Sequence, residues 1–331
     1  MINPFFSVII TCYNYEKYVS HAIQSACNQF FSSFEVIVVD AGSTDNSRRI
    51  IESFKNILIT EAPSGSHSIA CQAGFLLARG NWIIFLDADD FLFPNALEEI
   101  ASHANPTYSK VQYNLRICDA HGTLSNRKAV TYPHKYNAIH ASSSFFLNGT
   151  YIWPVTTGNA FSSGFLQKAL PLNITLPPDG QLNTLAPSFG LVHTINKPLG
   201  AYRLHGSNLD NQQSNSWTPS RFQKNIRRRY KEYFWANKKA RISNKVFHRS
   251  NILNYEITFI SYRIFCRKLD YKYLGFNNED LPTLYYFLVR FLIKNKYPAG
   301  ISISHLFWHL FFIFSPPFLA KKLLFLRFSR K

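Results

Sequence analysis

Three carboxylates follow a run of four large apolar residues in the stretch Ile83-Ile84-Phe85-Leu86-Asp87-Ala88-Asp89-Asp90. The apolar run has the character of a buried strand, and the acids stand where that strand leaves its sheet. Carboxylates this close together repel one another unless a positive charge lies between them. A divalent cation bound to phosphate oxygens is one source of that charge. The competing interpretation is that these acids only cap a helix that starts near Pro94.

Strands and helices alternate over the first hundred residues around this stretch. Ser7–Thr11 is a short apolar run, and Val36–Val39 is a β-branched run of the kind that is buried on both faces of a sheet. Ile57–Thr60 and Trp82–Leu86 have strand character, and a helix is predicted over Ser66–Arg79 between them. This alternation predicts an α/β fold with a mostly parallel central sheet and helices on both faces.

Polar clusters follow three of the predicted strands. They are Thr11–Asn14, Asp40–Asp45 and Asp87–Asp90. Ligands of parallel α/β sheets bind at the carboxyl ends of the strands, so we expect these clusters to meet at one edge of the sheet.

Further strands are predicted downstream of the acidic stretch. Val111–Cys118 alternates apolar and polar residues, which is typical of a half-buried strand. Two shorter strands are predicted near Leu191–Ile195 and Leu199–Leu204.

Charge is unevenly distributed along the chain. The 331 residues include 36 Lys and Arg against 19 Asp and Glu, for a formal net charge of +17. Residues 1–210 contain 13 basic and 14 acidic residues, whereas residues 211–331 contain 23 basic and 5 acidic residues. A hydrophobic content of 46% excludes a disordered chain, and five cysteines without a CxxC pair fit a reducing cytosol. We therefore predict a neutral α/β domain over residues 1–210 and a basic, aromatic, mainly helical region over residues 211–331.

The basic region combines cationic clusters with long apolar segments. Arg227–Arg229, Lys238–Lys239 and Lys321–Lys322 lie among many aromatic residues. Ala299–Phe314 is more apolar than nucleic-acid binding needs, but its 16 residues fall short of the about 20 that span a bilayer. We expect no nucleic-acid partner, and we expect peripheral or monotopic attachment to an anionic membrane surface. The alternatives are a helical subdomain that packs on the α/β core and a short re-entrant hairpin around Pro316–Pro317.

The order and spacing of five segments resemble glycosyltransferase family 2, of the type found in bacterial cell-envelope polysaccharide synthesis. The segments are Ser7–Asn14 (SVIITCYN), Val38–Asp45 (VVDAGSTD), Ala78–Asp90 with its FLDADD ending, Thr157–Phe161 (TGNAF) and Pro198–Asn208 (PLGAYRLHGSN). Five motifs in register seldom arise by chance, so the resemblance is specific over about residues 4–210. It implies a GT-A fold, a nucleotide-sugar donor and a divalent cation, Mn²⁺ or Mg²⁺.

The resemblance also implies the residues of the donor site. Asp89 is the expected metal ligand, with Asp87 or Asp90 supporting it. The residues expected to bind the nucleotide sugar are Thr11, Tyr13, Asn14, Asp40, Asp87, Arg203 and His205. The last two approach the donor diphosphate in the family. The alternative is that Arg203 pairs with a sheet-edge acid and that His205 is structural.

One position departs from the family pattern. The family often has two adjacent acids after the second strand, and the second of them contacts the nucleotide base. That position is Ala41 in this chain, so the donor base is not assumed to be uracil.

An inverting transfer also needs a general base near the acceptor hydroxyl. The family places this base downstream of the metal motif, as an Asp that opens a helix. Asp179 follows Pro177 and Pro178 and is the only acid between Asp119 and Asp210. We therefore expect Asp179 to be the general base, although an Asp after two prolines is also a common helix cap.

Together these features predict a metal-dependent, inverting glycosyltransferase of the hexosyl or N-acetylhexosaminyl type. Its acceptor would be a hydroxyl of a glycan or a lipid-linked molecule in envelope polysaccharide synthesis, at the cytoplasmic face of the inner membrane. Two alternatives stay open. A polyprenyl-phosphate glycosyl synthase would attack with a phosphate oxygen and need no base. A degenerate, non-catalytic member would bind sugar nucleotides at the membrane, and Ala41 is its main support.

Overall fold

A computed structural model of the chain describes residues 3–63, 65–133, 136–148, 150–206, 218–242, 256–270, 280–294 and 299–329. Contacts divide the chain into two units. The first consists of Met1–Ser143, Ile152–His205 and Trp235–Phe247, and the second consists of Ser144–Tyr151, Gly206–Phe234 and His248–Lys331. The predicted boundary at residue 210 and the last residues of the Pro198–Asn208 motif lie outside the described residues.

The first unit is built on one mixed sheet. Its strands are β1 (Phe6–Cys12), β2 (Phe34–Asp40), β3 (Leu58–Glu61), β4 (Trp82–Asp87), β5 (Phe91–Leu92), β6 (Tyr108–Cys118), β7 (Leu124–Lys128), β8 (Asn159–Ser162) and β9 (Leu191–Arg203). They lie in the order β3-β2-β1-β4-β8-β6-β9-β5, with β7 paired to β6. β1 to β4 are parallel, β8 is antiparallel to both of its neighbours, and β6 and β9 are parallel.

Helices are present in both units of the chain. They are α1 (Val19–Cys27), α2 (Ser47–Glu52), α3 (His67–Leu77), α4 (Ala96–His103), α5 (Ala138–Asn148), α6 (Ser163–Ala169), α7 (Pro178–Leu185), α8 (Pro219–Ile242), α9 (Ile257–Lys268), α10 (Leu281–Lys294), α11 (Ala299–Phe314) and α12 (Pro317–Ser329). The predicted α/β fold and the mainly helical character of the basic region are confirmed.

β1 lies between β2 and β4 inside the sheet, and every one of its residues is buried. Val8 and Ile10 share a core cluster with the apolar side of α1. Ile9 points to the other face, where α3 approaches so closely that a Cβ on Gly74 would lie 2.3 Å from the Ile9 side chain. The alternation of side chains along β1 therefore places helices on both faces of the sheet.

β6 differs from its prediction, because it is buried on both faces rather than on one. Its polar residues are enclosed between β8 and β9 and find partners on β9 and in two nearby loops. Gln112 Nε2 donates to the Ile152 carbonyl and to Thr194 Oγ1, and Asn114 Nδ2 donates to the Val130 carbonyl. Buried polar side chains are tolerated when hydrogen-bonded, so polar alternation did not indicate a solvent face here.

The two strands predicted between residues 191 and 204 form the single irregular strand β9. Its register against β6 shifts after Ile195, which pairs with Tyr113, so that Pro198 pairs with Asn114. Proline has no N–H to donate and is found in sheets at such irregular positions. A bulge, and not a turn, therefore separates the two apolar runs.

The second unit packs its helices through aromatic side chains. Phe265 of α9 contacts Trp308 and Phe312 of α11 at ring-centroid distances of 5.5 and 5.1 Å. His309 Nε2 also lies 2.9 Å from Ser261 Oγ. Among the described helices, none combines the length and the apolar character needed to cross a bilayer.

A buried arginine links α8 to the start of α9 within this unit. Arg229 Nε donates to both carboxylate oxygens of Glu256 at 2.8 and 3.1 Å, and Arg229 Nη1 lies 3.5 Å from Glu232 Oε2. All three side chains are largely removed from solvent. The cation therefore offsets the charge of two carboxylates that water does not screen.

Replacing Arg229 with methionine removes this cation from between two buried carboxylates. We expect Arg229→Met to lower the free energy of unfolding by about 3–5 kcal/mol, because an uncompensated buried charge is costly. The neighbouring, more exposed Arg228 provides a matched control, and Arg228→Met should cost at most about 1 kcal/mol. Urea unfolding followed by circular dichroism measures both, and equal losses would contradict the prediction.

Candidate active site

The carboxyl ends of β1, β2 and β4 lie level with one another. The parallel register pairs Cys12 with Asp40 and Thr11 with Asp87. The polar clusters that follow these strands therefore meet at one edge of the sheet. This is the edge at which α/β sheets bind ligands.

His67, the first residue of α3, also reaches this edge. Its Nε2 lies 3.0 Å from Thr11 Oγ1 and 3.4 Å from Asp87 Oδ1. Burial lowers the pKa of His67, and the charges of Asp179 and Asp89 oppose that shift. The sequence indicates His67 only as a weaker candidate for the pocket, and its contacts with the ends of two strands became visible only in the fold.

Asp90 holds in place the turn Asp87–Asp90 that follows β4, which we call the acidic turn. Its Oδ2 accepts a hydrogen bond of 2.6 Å from Thr157 Oγ1, and its Oδ1 accepts one of 2.9 Å from the backbone N–H of Arg203. The pKa of Asp90 is raised well above its usual value, first by burial and then by the charge of Asp89. Asp90 thus ties the turn after β4 to the end of β9 and to the turn before β8.

Asp89 is paired with His205. His205 Nε2 lies 3.0 Å from Asp89 Oδ2, and both side chains are nearly buried. The rings of Tyr15 and Tyr18 enclose the imidazole, with centroids 5.9 and 4.8 Å away. The two residues expected from the sequence at the metal and the diphosphate are therefore in direct contact.

Arg203 lies beneath this pair. The sequence predicts it at the donor diphosphate, but its side chain is buried and its Nε donates to the Asp89 carbonyl at 2.7 Å. Nη2 lies 2.9 Å from His21 Nδ1, and the guanidinium lies over the rings of Tyr18 and Phe91. These contacts support the backbone of the acidic turn. They are nearer to the alternative interpretation, in which Arg203 pairs with an acid at the sheet edge, than to a contact with the diphosphate.

Asp87 is the most accessible acid of the turn. Its pKa is raised well above the usual value by burial and then by the charges of Asp90, Asp89 and Asp179. In the described part of the chain, no three His, Cys, Asp or Glu side chains form a complete metal cage. Mg²⁺ commonly uses one or two carboxylates plus substrate phosphates, and Mn²⁺ prefers the same oxygen ligands. Asp89 and Asp87 are the carboxylates at this edge that such a cation would use together with substrate phosphates, and His205 lies at hydrogen-bond distance from Asp89.

α7 carries Asp179 toward the same acids. Asp179 is half-buried in the first turn of the helix, and its charge contributes to raising the pKa of Asp87. Gln181 anchors this end of the helix, because its Nε2 lies 3.3 Å from Ser68 Oγ of α3 and 3.0 Å from the Leu176 carbonyl. The charge of the predicted base therefore acts on Asp87, although the two residues lie about ninety positions apart in the sequence.

Asn14 connects the loops that follow β1 and β2. Its backbone has φ of 57°, and its Oδ1 accepts a hydrogen bond of 2.7 Å from the Thr44 N–H. The Asn14 N–H in turn donates to Ser43 Oγ. The neighbouring Tyr13 is 47% exposed at the rim. Among the predicted nucleotide-binding residues, Asn14 therefore shapes the loop, whereas Tyr13 presents an accessible ring.

Asp40 lies buried at the end of β2 beside an arginine that sequence analysis did not single out. Its Oδ1 accepts a hydrogen bond from the Ser43 N–H at 3.1 Å, and its Oδ2 lies 3.8 Å from Arg48 Nη1. Arg48 also contacts Glu52 and Glu61. Ala41 follows in a nearly buried position without a carboxylate.

Lys110 is a buried lysine that sequence analysis did not identify. Its Nζ donates to Asn159 Oδ1 of β8 at 3.0 Å and to Asn183 Oδ1 of α7 at 2.5 Å. Burial holds the pKa of Lys110 well below its usual value of 10.5. Asn183 lies one turn after Asp179 on the same helix, so Lys110 fixes the position of the predicted base from within the sheet.

Lys110→Met should destabilise the fold in a pH-dependent way. Because burial lowers the pKa of Lys110 on folding, the folded chain releases this proton at a lower pH than the unfolded chain does. The stability contributed by Lys110 therefore rises as the pH rises from the folded pKa toward the unfolded value of 10.5. We expect the free energy of unfolding of the wild type to exceed that of the variant by about 2 kcal/mol near pH 10 and by less at pH 7. Urea unfolding at both pH values measures the difference.

Lys128→Met, at an exposed site on β7, is the matched control and should change stability little at either pH. A difference between wild type and Lys110→Met that stays constant or shrinks with rising pH would contradict the assignment.

Comparison with known proteins agrees with this architecture. The model of the family described as Glycosyl transferase family 2 matches residues 7–164. An uncharacterized glycosyltransferase from Nostoc sp. is 32% identical over 212 residues, which cover 61% of this chain and 65% of that protein. Poly(ribitol-phosphate) beta-N-acetylglucosaminyltransferase TarS from Staphylococcus aureus is 34% identical over 113 residues, which cover 32% of this chain and 20% of that protein. The chain therefore spans less than two thirds of the length of these curated relatives.

Solved structures show the same fold. TarS 1–349 in complex with UDP-GlcNAc superposes with a TM-score of 0.55 at 16% identity, covering 98% of this chain and 89% of that one. A second structure is that of mannosyltransferase PcManGT from Pyrobaculum calidifontis in complex with GDP-Man and Mn²⁺. It superposes with a TM-score of 0.53 at 14% identity, covering 100% of this chain and 87% of that one. The expected GT-A fold is confirmed. Residues 7–164 of this chain form a glycosyltransferase family 2 domain.

Proposed function

We propose that this chain is an inverting glycosyltransferase that moves a sugar from a nucleotide-sugar donor to a hydroxyl of a glycan or lipid-linked acceptor in envelope polysaccharide synthesis. The observation that carries the proposal is the meeting of Asp87, Asp89 and His205 at the carboxyl edge of parallel strands, with Asp179 near enough for its charge to raise the pKa of Asp87. The family of the domain supports it, as do the UDP-GlcNAc and GDP-Man bound by its structural neighbours.

In this proposal, Asp89 holds a divalent cation, Mn²⁺ or Mg²⁺, with Asp87 beside it. When bound, the cation supplies positive charge to the donor diphosphate as the nucleotide leaves. His205 orients the Asp89 carboxylate through the contact of 3.0 Å. Arg203 and Asp90 hold the backbone of the turn, so the carboxylates are positioned before the donor arrives.

The acceptor hydroxyl loses its proton to Asp179. Its oxygen then attacks the anomeric carbon on the side opposite to the departing nucleotide, which inverts the configuration at that carbon. Gln181 and Asn183 follow Asp179 along α7 and anchor the helix to α3 and to β6. These contacts hold the base at a set distance from the donor.

The nucleotide lies, in this proposal, over the ends of β1 and β2. Thr11, Tyr13 and Asp40 line that position, and Asn14 shapes the loop beside it. Ala41 offers no carboxylate to the base, so the choice of nucleotide rests on the surrounding residues.

We also assign the protein to the cytoplasmic face of the inner membrane as a peripheral component. The excess of 23 basic over 5 acidic residues after position 210 supports attraction to anionic lipids.

Nucleotide release from UDP-, GDP-, dTDP- and CDP-sugars tests the donor half of the proposal, with Mn²⁺ and a membrane lipid extract as the acceptor source. We expect release from one donor and loss of at least about 100-fold in Asp89→Asn, because charge stabilisation of the leaving group is removed. Asp119→Asn, the same substitution on an exposed turn, is the control. An Asp89→Asn enzyme with full activity would remove this assignment, and the absence of both donor binding and release would favour the degenerate, non-catalytic member.

Asp179→Asn tests the acceptor half. We expect kcat to fall by about 10²–10⁴-fold with little change in donor affinity, because the variant keeps the donor site but lacks the base. Donor affinity is measured by calorimetry and kcat by product formation. A fully active Asp179→Asn enzyme would favour a polyprenyl-phosphate glycosyl synthase, since a phosphate oxygen attacks without a base.

A further inference from the structure

One face of α11 presents large apolar side chains to solvent. Ile303, Phe307, Phe311 and Phe314 are all exposed, with Phe307 at 70% and Phe314 at 82%. Their spacing of four, four and three residues places them within one stripe along the helix. The stripe runs along most of a helix about 24 Å long. We call these four residues the α11 stripe.

The opposite side of α11 is already occupied. His309 and Phe312 are fully buried and contact Ser261 and Phe265 of α9. α11 is therefore held in the second unit by one face, and the α11 stripe is not needed for that packing. Contiguous exposed apolar surface of this kind marks an interaction site more often than a solvated face.

The start of α12, the next helix along the chain, carries another exposed aromatic ring and two exposed lysines. Phe318 is 75% exposed at the start of α12, and Lys321 and Lys322 are exposed one turn later. No Asp or Glu occurs between Leu281 and Lys331, whereas this stretch contains eight Lys and Arg. A partner for this surface must therefore accept aromatic side chains and carry negative charge.

We infer that the α11 stripe and Phe318 insert into the headgroup region of an anionic bilayer, with α11 parallel to the membrane plane. Apolar side chains beside lysines are the features by which interfacial helices bind anionic lipid surfaces. A second copy of this chain is a poorer match, because two surfaces without acidic residues repel one another. The inference rests on the membrane location in the proposed function and is independent of the transfer chemistry.

Co-sedimentation of the full chain with vesicles tests the inference. One set of vesicles contains phosphatidylcholine alone, and the other contains about 30% phosphatidylglycerol as the anionic lipid. We expect the wild type to bind the anionic vesicles, and Phe307→Ser/Phe311→Ser to bind them at least tenfold more weakly. The vesicle affinity of Lys321→Ala/Lys322→Ala should fall by about fivefold per charge removed on anionic vesicles and should change little on neutral ones.

Phe30→Ser/Leu76→Ser removes two apolar side chains of the first unit that are at least as exposed as Phe307 and Phe311, and this matched control should bind like the wild type. Circular dichroism confirms that each variant is folded. Unchanged binding by folded Phe307→Ser/Phe311→Ser would overturn the inference, and so would a wild-type dimer that becomes monomeric in this variant. Nucleotide release by the same variants, measured with the membrane lipid extract dispersed in detergent, separates this failure from failure of the proposed transfer, because a dispersed acceptor does not require attachment to vesicles.

Discussion

The carboxylate of Asp90 is the contact on which the candidate site depends. It joins the turn after β4 to Thr157 and to the backbone of Arg203, three segments that are far apart in the chain. The oxygens of a buried carboxylate need hydrogen-bond donors from the protein itself, so these partners fix the position of the turn. Asp87 and Asp89 stand on the same turn, and His205 follows Arg203 by two residues. The buried Asp90 carboxylate thus sets the positions of Asp87, Asp89 and His205.

This arrangement concentrates negative charge that the protein only partly offsets. The pKa values of Asp87 and Asp90 are raised by burial and by neighbouring carboxylates, so the folded chain binds protons more tightly than the unfolded chain does. Such groups lower the stability of the fold as the pH rises above their unfolded values. Functional sites often retain unfavourable electrostatics of this kind, because the same field attracts the ligand. In the proposed function, a divalent cation and the donor bind beside these carboxylates, where the positive charge of the cation offsets their mutual repulsion.

Much of this was accessible from the sequence because local signals and the fold agree. The apolar runs before Thr11, Asp40 and Asp87 are strands within one or two residues of their predicted ends, and parallel register brings their polar ends together without further information. β6 was mispredicted because its polar positions are satisfied by β8, β9 and a loop, which the local pattern does not contain. Lys110 was missed for the same reason, since a lysine in a strand indicates solvent unless its partners are known.

The motif residues divide into those that present chemistry and those that hold it in place. Asn14, Asp90 and Arg203 stand in the family motifs, yet their side chains are occupied by loop, turn and backbone contacts. A sequence motif indicates that a residue type is needed at a position. It does not indicate whether that residue binds a ligand or holds a neighbouring residue in place. The two halves of the site are also held independently, because Asp90 and Arg203 support the turn of Asp89 whereas Lys110 and Gln181 support α7. Under the proposed mechanism, damage to the first set therefore weakens donor activation, and damage to the second set displaces the base.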